Sequence, residues 1–287
     1  MTSPATPTGI LLGEFTPGTP QWEEARGGLC ITATEIAAVM GCSPWSDPFT
    51  LWHKKSGLRV PPFVVTPQIE WGNRLEPAVG AKFQDEHPEL HLGKTGTWQH
   101  QDRPWQRATP DLLGHEEIVE IKTSPVSHEW DQGVPLHYYC QIQWQLDTLG
   151  YEACHVAVLI SGHDYREYTV AYDPADAATM RAAAEGFLDD VRNGRRPEIG
   201  DTQHAYDTIR LRPDRYDEID VEVPGPIAAR YEICRDSKVA ADIEYTAAKS
   251  LLLDALGNGR NAVHLGRRIA YRTAREDGST IALQPAR

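Results

Sequence analysis

The apolar positions of this chain switch between a helical and a strand period, and the switches mark out its elements. Thr32 and Glu35 have the spacing of a capping box and precede the apolar run Ile36, Ala37, Ala38, Val39 and Met40, with Gly41 as a stop. A short helix is predicted over 47–55, broken at Gly57, and the proline-interrupted stretch 58–66 reads as irregular. Thr66 followed by Pro67 is a helix start, and that helix carries Leu75, Val79 and Phe83 at four-residue steps until Pro88 ends it. From 91 to 122 the chain breaks into KTGTWQH, RATPDLLG and EEIVEIKTS, predicted as three antiparallel strands, the last two joined at Gly114-His115. A helix is predicted over 134–149. The strands HVAVLIS and YREYTVAY follow, turning at Gly162-His163-Asp164, and an alanine-rich helix covers 174–193.

The ends differ from this middle. Residues 1–20 are rich in Thr, Pro and Gly and read as a flexible arm. Residues 201–225 are polar and acidic, with Pro213 and Pro224 inside the stretch and Pro226 just after it, and read as a linker. A long helix over 227–256 stops at Gly257, and the tail forms a hairpin turning at Glu276-Asp277-Gly278. The predicted organisation is an arm (1–20), an α/β core with a mixed central sheet flanked by helices (21–200), and an appendage of long helix plus β-hairpin (201–287).

The core carries one constellation with chemical content. Glu76 lies in WGNRLEP on the helix of 67–87, Asp111 in TPD at a strand end, and Glu120 and Lys122 in the next strand. Period two puts Glu120 and Lys122 on one face and Ile121 on the other, and the tight turn sets Asp111 beside them. Carboxylates gathered this way repel one another unless a cation lies between them. Oxygen donors suit Mg²⁺, with Mn²⁺ as a substitute, and a metal beside a lysine is the equipment of phosphodiester hydrolysis. An isolated E-x-K is usually a solvated ion pair, so the weight rests on order and context.

Five blocks in order, ITATEIAAVMG, WGNRLEP, ATPD, VEIKTSP and YYCQIQWQLDTLG, resemble the lambda-exonuclease and YqaJ group of viral recombinases, within the PD-(D/E)xK nuclease superfamily. The resemblance runs from about Arg26 to about Tyr172. It implies a restriction-endonuclease-like core in which Glu76, Asp111, Glu120 and the carbonyl of Ile121 hold the metal and Lys122 is catalytic. It further implies that Gln141 lies behind the lysine, that Thr34 and Arg26 bind phosphate, and that Trp45, in CSPWSDP, lies near the DNA end. The implied activity is 5′→3′ resection of double-stranded DNA ends, with the product strand passed to a single-strand annealing protein and the enzyme acting as a homo-oligomer. A restriction- or repair-type endonuclease, or an end-binding module with little catalysis, stands as the alternative. Of the two central glutamines, Gln141 is expected to face the site and Gln143 the solvent.

Charge refines this. The 287 residues hold 28 Lys+Arg against 41 Asp+Glu, a formal net charge of -13, which argues against bulk coating of nucleic acid. The tail counters that trend, with six arginines after 257 against Glu276 and Asp277. Five cysteines without a C-x-x-C spacing suggest free thiols and disfavour an iron–sulfur cluster. The GKT of LGKTGT lacks the rest of a P-loop. With no leader and no long apolar run, a cytoplasmic protein without membrane contact is expected.

Overall fold

The computed structural model describes residues 8–211 and 217–286. The chain divides into two compact units, Met1–Arg215 and Tyr216–Arg287. Along the first run β1 (Ile10–Gly13), α1 (Pro20–Arg26), β2 (Ile31–Thr32), α2 (Ile36–Val39), α3 (Pro48–Lys55), α4 (Pro67–Glu86), β3 (Gly93–Lys94), β4 (Thr97–Gln99), β5 (Gln106–Ala108), β6 (Leu112–Leu113) and β7 (Glu117–Ser124). Then come α5 (Leu136–Leu149), β8 (Ala153–Ile160), β9 (Asp164–Ala171), α6 (Pro174–Arg192) and α7 (Gln203–Arg210). The second unit holds α8 (Gly225–Leu256), β10 (Asn261–His264), β11 (Arg267–Ala274) and β12 (Thr280–Pro285).

The main sheet has the order β3-β6-β7-β8-β9 and is mixed, with β7 and β8 parallel and the other pairs antiparallel. Its two faces are dry for different reasons. Ile118, Val156 and Val158 face the larger core with Ile142, Leu146 and Leu149 of α5, while Val119, Ile121 and Ala157 face Val79 and Phe83 of α4. The period-two reading of β7 and the four-residue stripe of α4 therefore meet at one interface. A second sheet, β1-β4-β5-β2, packs against the other side of α5, which is why Cys140 through Leu149 are buried all round.

Local chemistry explains the helix starts. Thr66 accepts from Ile69 N–H at 3.3 Å and Asp47 from Thr50 N–H at 2.6 Å, each followed by proline in the first turn. The Thr32–Glu35 box is half formed: the Glu35 carboxylate takes the Thr32 N–H at 3.1 Å, but the Thr32 hydroxyl donates to that same carboxylate.

Four features depart from the sequence reading. Residues 1–7 of the expected arm lie outside the described residues, and Ile10–Gly13 are a strand paired with β4. The runs KTGTWQH and RATPDLLG each divide between the two sheets, the second breaking at Pro110 beside Asp111. The expected linker begins as α7, a helix capped by Thr202, whose hydroxyl also donates to Asp47, and anchored where Thr208 meets Thr50 at 3.0 Å. Threonines carry that contact, so apolar periodicity does not reveal it. The tail hairpin is a three-stranded meander, because Leu265 and Gly266 take left-handed φ values of 48° and 75° and turn the chain once more. Among the described residues no helix is long and apolar enough to cross a membrane.

Close packing of α4 on β7 depends on Gly80, where a Cβ would stand 2.8 Å from Ile121 Cδ1. Gly80→Val is expected to lower unfolding free energy by about 1–3 kcal/mol through overpacking. Gly186→Ala, in α6 with open space at its Cβ, is expected to raise it by up to about 1 kcal/mol through helix propensity. Urea unfolding of both variants checks the pair.

Candidate active site

The middle of β7 lies at a junction where α4, the β5–β6 bend and α5 converge. Glu120 is almost wholly buried there, with 2% exposure. Lys122 Nζ and Gln141 Nε2 both donate to its Oε1, and Gln145 Nε2 donates to its Oε2 at 2.7 Å. A buried carboxylate is tolerable only when paired and hydrogen-bonded, and here each oxygen has a partner. Gln141 and Gln145 are one turn apart on α5 and reach the same group. Gln143 does not face solvent as expected: it is fully buried, donating to Ala171 O at 2.7 Å and accepting from Asp173 N–H at 2.8 Å.

Asp111, at the bend before β6, accepts the Ile121 N–H at 2.7 Å. This bond fixes the carboxylate across the hairpin from the Glu120 strand. Burial, the Glu120 charge and then Glu76 push the Asp111 carboxyl well above its usual range. Partial desolvation and Glu120 also raise Glu76. Burial disfavours the Lys122 ammonium, but Glu120 and Asp111 outweigh it and hold the lysine above its ordinary value. Glu76, Lys94, Asp111 and Ile121 line one cleft of about 120 Å³, with Gly80 at its wall. Gly72 and Gly80 lie one turn either side of Glu76, so the face of α4 that carries it comes close to β7.

The carboxylates are close enough to perturb one another, yet among the described residues no three His, Cys, Asp or Glu side chains stand in ligating geometry. Glu120 is held by Lys122 and the two glutamines. The donor set is nonetheless all oxygen, and the crowding that raises Asp111 and Glu76 is the electrostatic condition that a hard divalent cation relieves. The residues therefore fit such an ion.

Beside this lies a second cluster. Arg26 donates to Thr34 Oγ1 at 2.9 Å and to Thr109 Oγ1 at 3.2 Å, and its guanidinium lies 4.7 Å from the Trp22 ring centroid. Burial lowers its proton affinity, and Glu120 is among the charges that oppose this. Arg26 has hydroxyl partners here and no carboxylate among its hydrogen bonds. Trp45 is exposed and stacks on neither arginine nor threonine. It meets His137 edge-on at 4.8 Å and Tyr138 at 5.7 Å, and Lys122 Nζ lies 4.8 Å from the Tyr138 ring centroid.

The structure thus brings together Glu120, Lys122 and Gln141. It brings Asp111 to the backbone of Ile121, Glu76 to the same cleft, and Arg26 to Thr34. Sequence reasoning missed Gln145, Thr109 and Lys94. Gln145 was findable as the helical neighbour of Gln141. Thr109 and Lys94 arrive from the divided strands, and nothing local marks them.

Residues 21–152 match the family model of the YqaJ-like viral recombinase domain. The resemblance read from the sequence holds over this stretch, which is a little under half of the chain. Among solved structures, the alkaline exonuclease LHK-Exo of Laribacter hongkongensis superposes with a TM-score of 0.52 and 22% identity, covering 61% of this chain and 94% of its own. Its complex with dAMP gives 0.50 and 22% over the same shares. At that identity the likeness is one of fold. No relative was found among curated proteins.

Gln145→Ala leaves the buried Glu120 Oε2 without its donor. It is expected to cost about 1–3 kcal/mol of stability in urea unfolding, and Gln145→Glu, which sets a like charge there, is expected to cost more.

Proposed function

We propose that the chain is a metal-dependent exonuclease that digests the 5′-ended strand at double-stranded DNA ends. The observation that carries this reading is the junction at β7, where Glu120 and Lys122 share a proton-rich contact while Asp111 and Glu76 crowd the adjoining cleft. Glu76, Asp111, Glu120 and the carbonyl of Ile121 would hold Mg²⁺ or Mn²⁺. When bound, such an ion supplies charge neutralisation at the phosphate and lowers the pKa of water.

The remaining steps belong to the protein. Lys122, kept protonated by Glu120 and Asp111, donates from Nζ to the scissile phosphate and orients the attacking water. Gln141 and Gln145 fix Glu120 so that the lysine cannot swing away with it. Arg26 exchanges its threonine partners for a terminal 5′ phosphate, which Thr34 and Thr109 also contact. Trp45 at the exposed rim stacks on a base of the DNA end. A single-strand annealing protein and further copies of the chain are the proposed partners. The excess of acidic residues confines attraction to these local sites, so end binding is weak without divalent metal and falls with salt.

Linear and closed circular duplexes incubated with Mg²⁺ or EDTA test the reading. Linear DNA carrying a 5′ phosphate is expected to be digested with Mg²⁺ alone, and Lys122→Ala is expected to lose at least about 100-fold in rate while keeping end binding. Cleavage of closed circles assigns an endonuclease instead, and inertness toward every substrate assigns a binding module. Arg26→Ala is expected to remove the preference for 5′-phosphate over 5′-hydroxyl ends in the same assay. Asp111→Asn is expected to abolish cleavage while raising the metal-free Tm. It replaces a crowded buried carboxylate by a neutral acceptor for the Ile121 N–H. The Tm rise that Mg²⁺ gives the parent should vanish in this variant.

A further inference from the structure

The second unit carries a cationic surface that the nuclease site does not use. Its sheet follows a helix of nearly balanced charge, whereas residues 257–287 hold six arginines against Glu276 and Asp277. Among the described residues the ion pairs of this unit, Arg235–Asp236 and Lys238–Asp242, both lie in α8. Arg272 is turned inward and donates to Leu253 O of α8 at 3.4 Å, so it ties helix to sheet. Ala262 and Ala270, paired across β10 and β11, are buried.

Arg260, Asn261, Arg268 and Tyr271 instead line an open cleft of about 250 Å³. The Arg268 guanidinium lies 5.6 Å from the Tyr271 ring centroid, and the register sets Tyr271 directly opposite Asn261. Cations that have no carboxylate partner among the described residues, a half-exposed aromatic ring and an amide are the chemistry that takes up a nucleotide. The cations meet phosphate, the ring stacks on a base, and the amide bonds a base edge or sugar. A cleft of this size, with an aromatic wall, suits an unpaired nucleotide rather than the flank of a duplex, whose bases are stacked away from such a ring.

We infer that the C-terminal sheet is a second nucleic-acid site, which binds single-stranded DNA through Arg260 and Arg268 and stacks a base on Tyr271. The inference rests on the nuclease reading for the source of the strand, since digestion of one strand of a duplex leaves the other unpaired. It does not rest on that reading for the binding itself.

The test uses the full chain carrying Lys122→Ala, in EDTA, with a fluorescein-labelled oligothymidylate followed by anisotropy. Adding Arg260→Ala and Arg268→Ala is expected to weaken binding roughly tenfold and to shallow the log Kd against log salt slope by about 0.7 per arginine. Tyr271→Ala weakens binding, while Tyr271→Phe preserves it. Arg268→Glu alone serves if the double variant loses its circular dichroism signature. Unchanged affinity for the oligothymidylate overturns the inference. An equal loss toward a blunt duplex of the same length also overturns it, by making the surface a duplex contact. Digestion of a short duplex by Arg260→Ala/Arg268→Ala chain with Lys122 intact is expected to proceed at the parental rate. That arm keeps a failure of the nuclease reading apart from a failure of this one.

Discussion

The buried carboxylate of Glu120 is the group around which the first unit is arranged. A charge taken from water inside a strand is costly, and it persists only when its neighbours are arranged to offset that cost. Lys122 supplies the countercharge from the same strand, and Gln141 and Gln145 supply donors from α5. Those glutamines can reach Glu120 because α5 is buried between two sheets and cannot slide or rotate without breaking its other contacts. Gln143, pointing elsewhere, locks that rotation by bonding the β9–α6 connection at Ala171 and Asp173. The sheet, the central helix and the charged junction are thus mutually dependent.

On the other face of β7 the constraint is distance. Gly80 lets α4 lie against Ile121, and Asp111 is fixed by the backbone of that same residue. Alternation along one strand therefore serves both sides: Glu120 and Lys122 project toward α5, while Ile121 packs against α4 and its N–H anchors the third carboxylate. The resulting crowding raises the proton affinity of Asp111 and Glu76 and keeps Lys122 protonated. Such crowding of buried charge is unfavourable for stability, a familiar trade between a rigid scaffold and a strained site.

Charge is distributed with the same economy. The chain as a whole is acidic, so attraction to a polyanion must be local. Arg26 is placed among hydroxyls beside the carboxylate junction, and Arg260 and Arg268 line a cleft of the second unit. Both places pair arginine with an aromatic ring, Trp22 in one and Tyr271 in the other.

By itself the sequence determined the elements whose signals are local: the capped starts of α3 and α4, the stripe of Val79 and Phe83, the alternation of β7, and the order of motifs that carries the family resemblance. The residues of the candidate site were legible for the same reason, since Glu120 and Lys122 share a face through backbone period alone. Tertiary structure decided what depends on neighbours distant in the chain. It divided KTGTWQH and RATPDLLG between two sheets, turned the start of the expected linker into a packed helix through paired threonines, and buried Gln143 and Gln145 by enclosing α5 on both sides. Polar residues in those places carry no hydrophobic signal, and their burial is set by partners that only the folded chain brings within hydrogen-bonding distance.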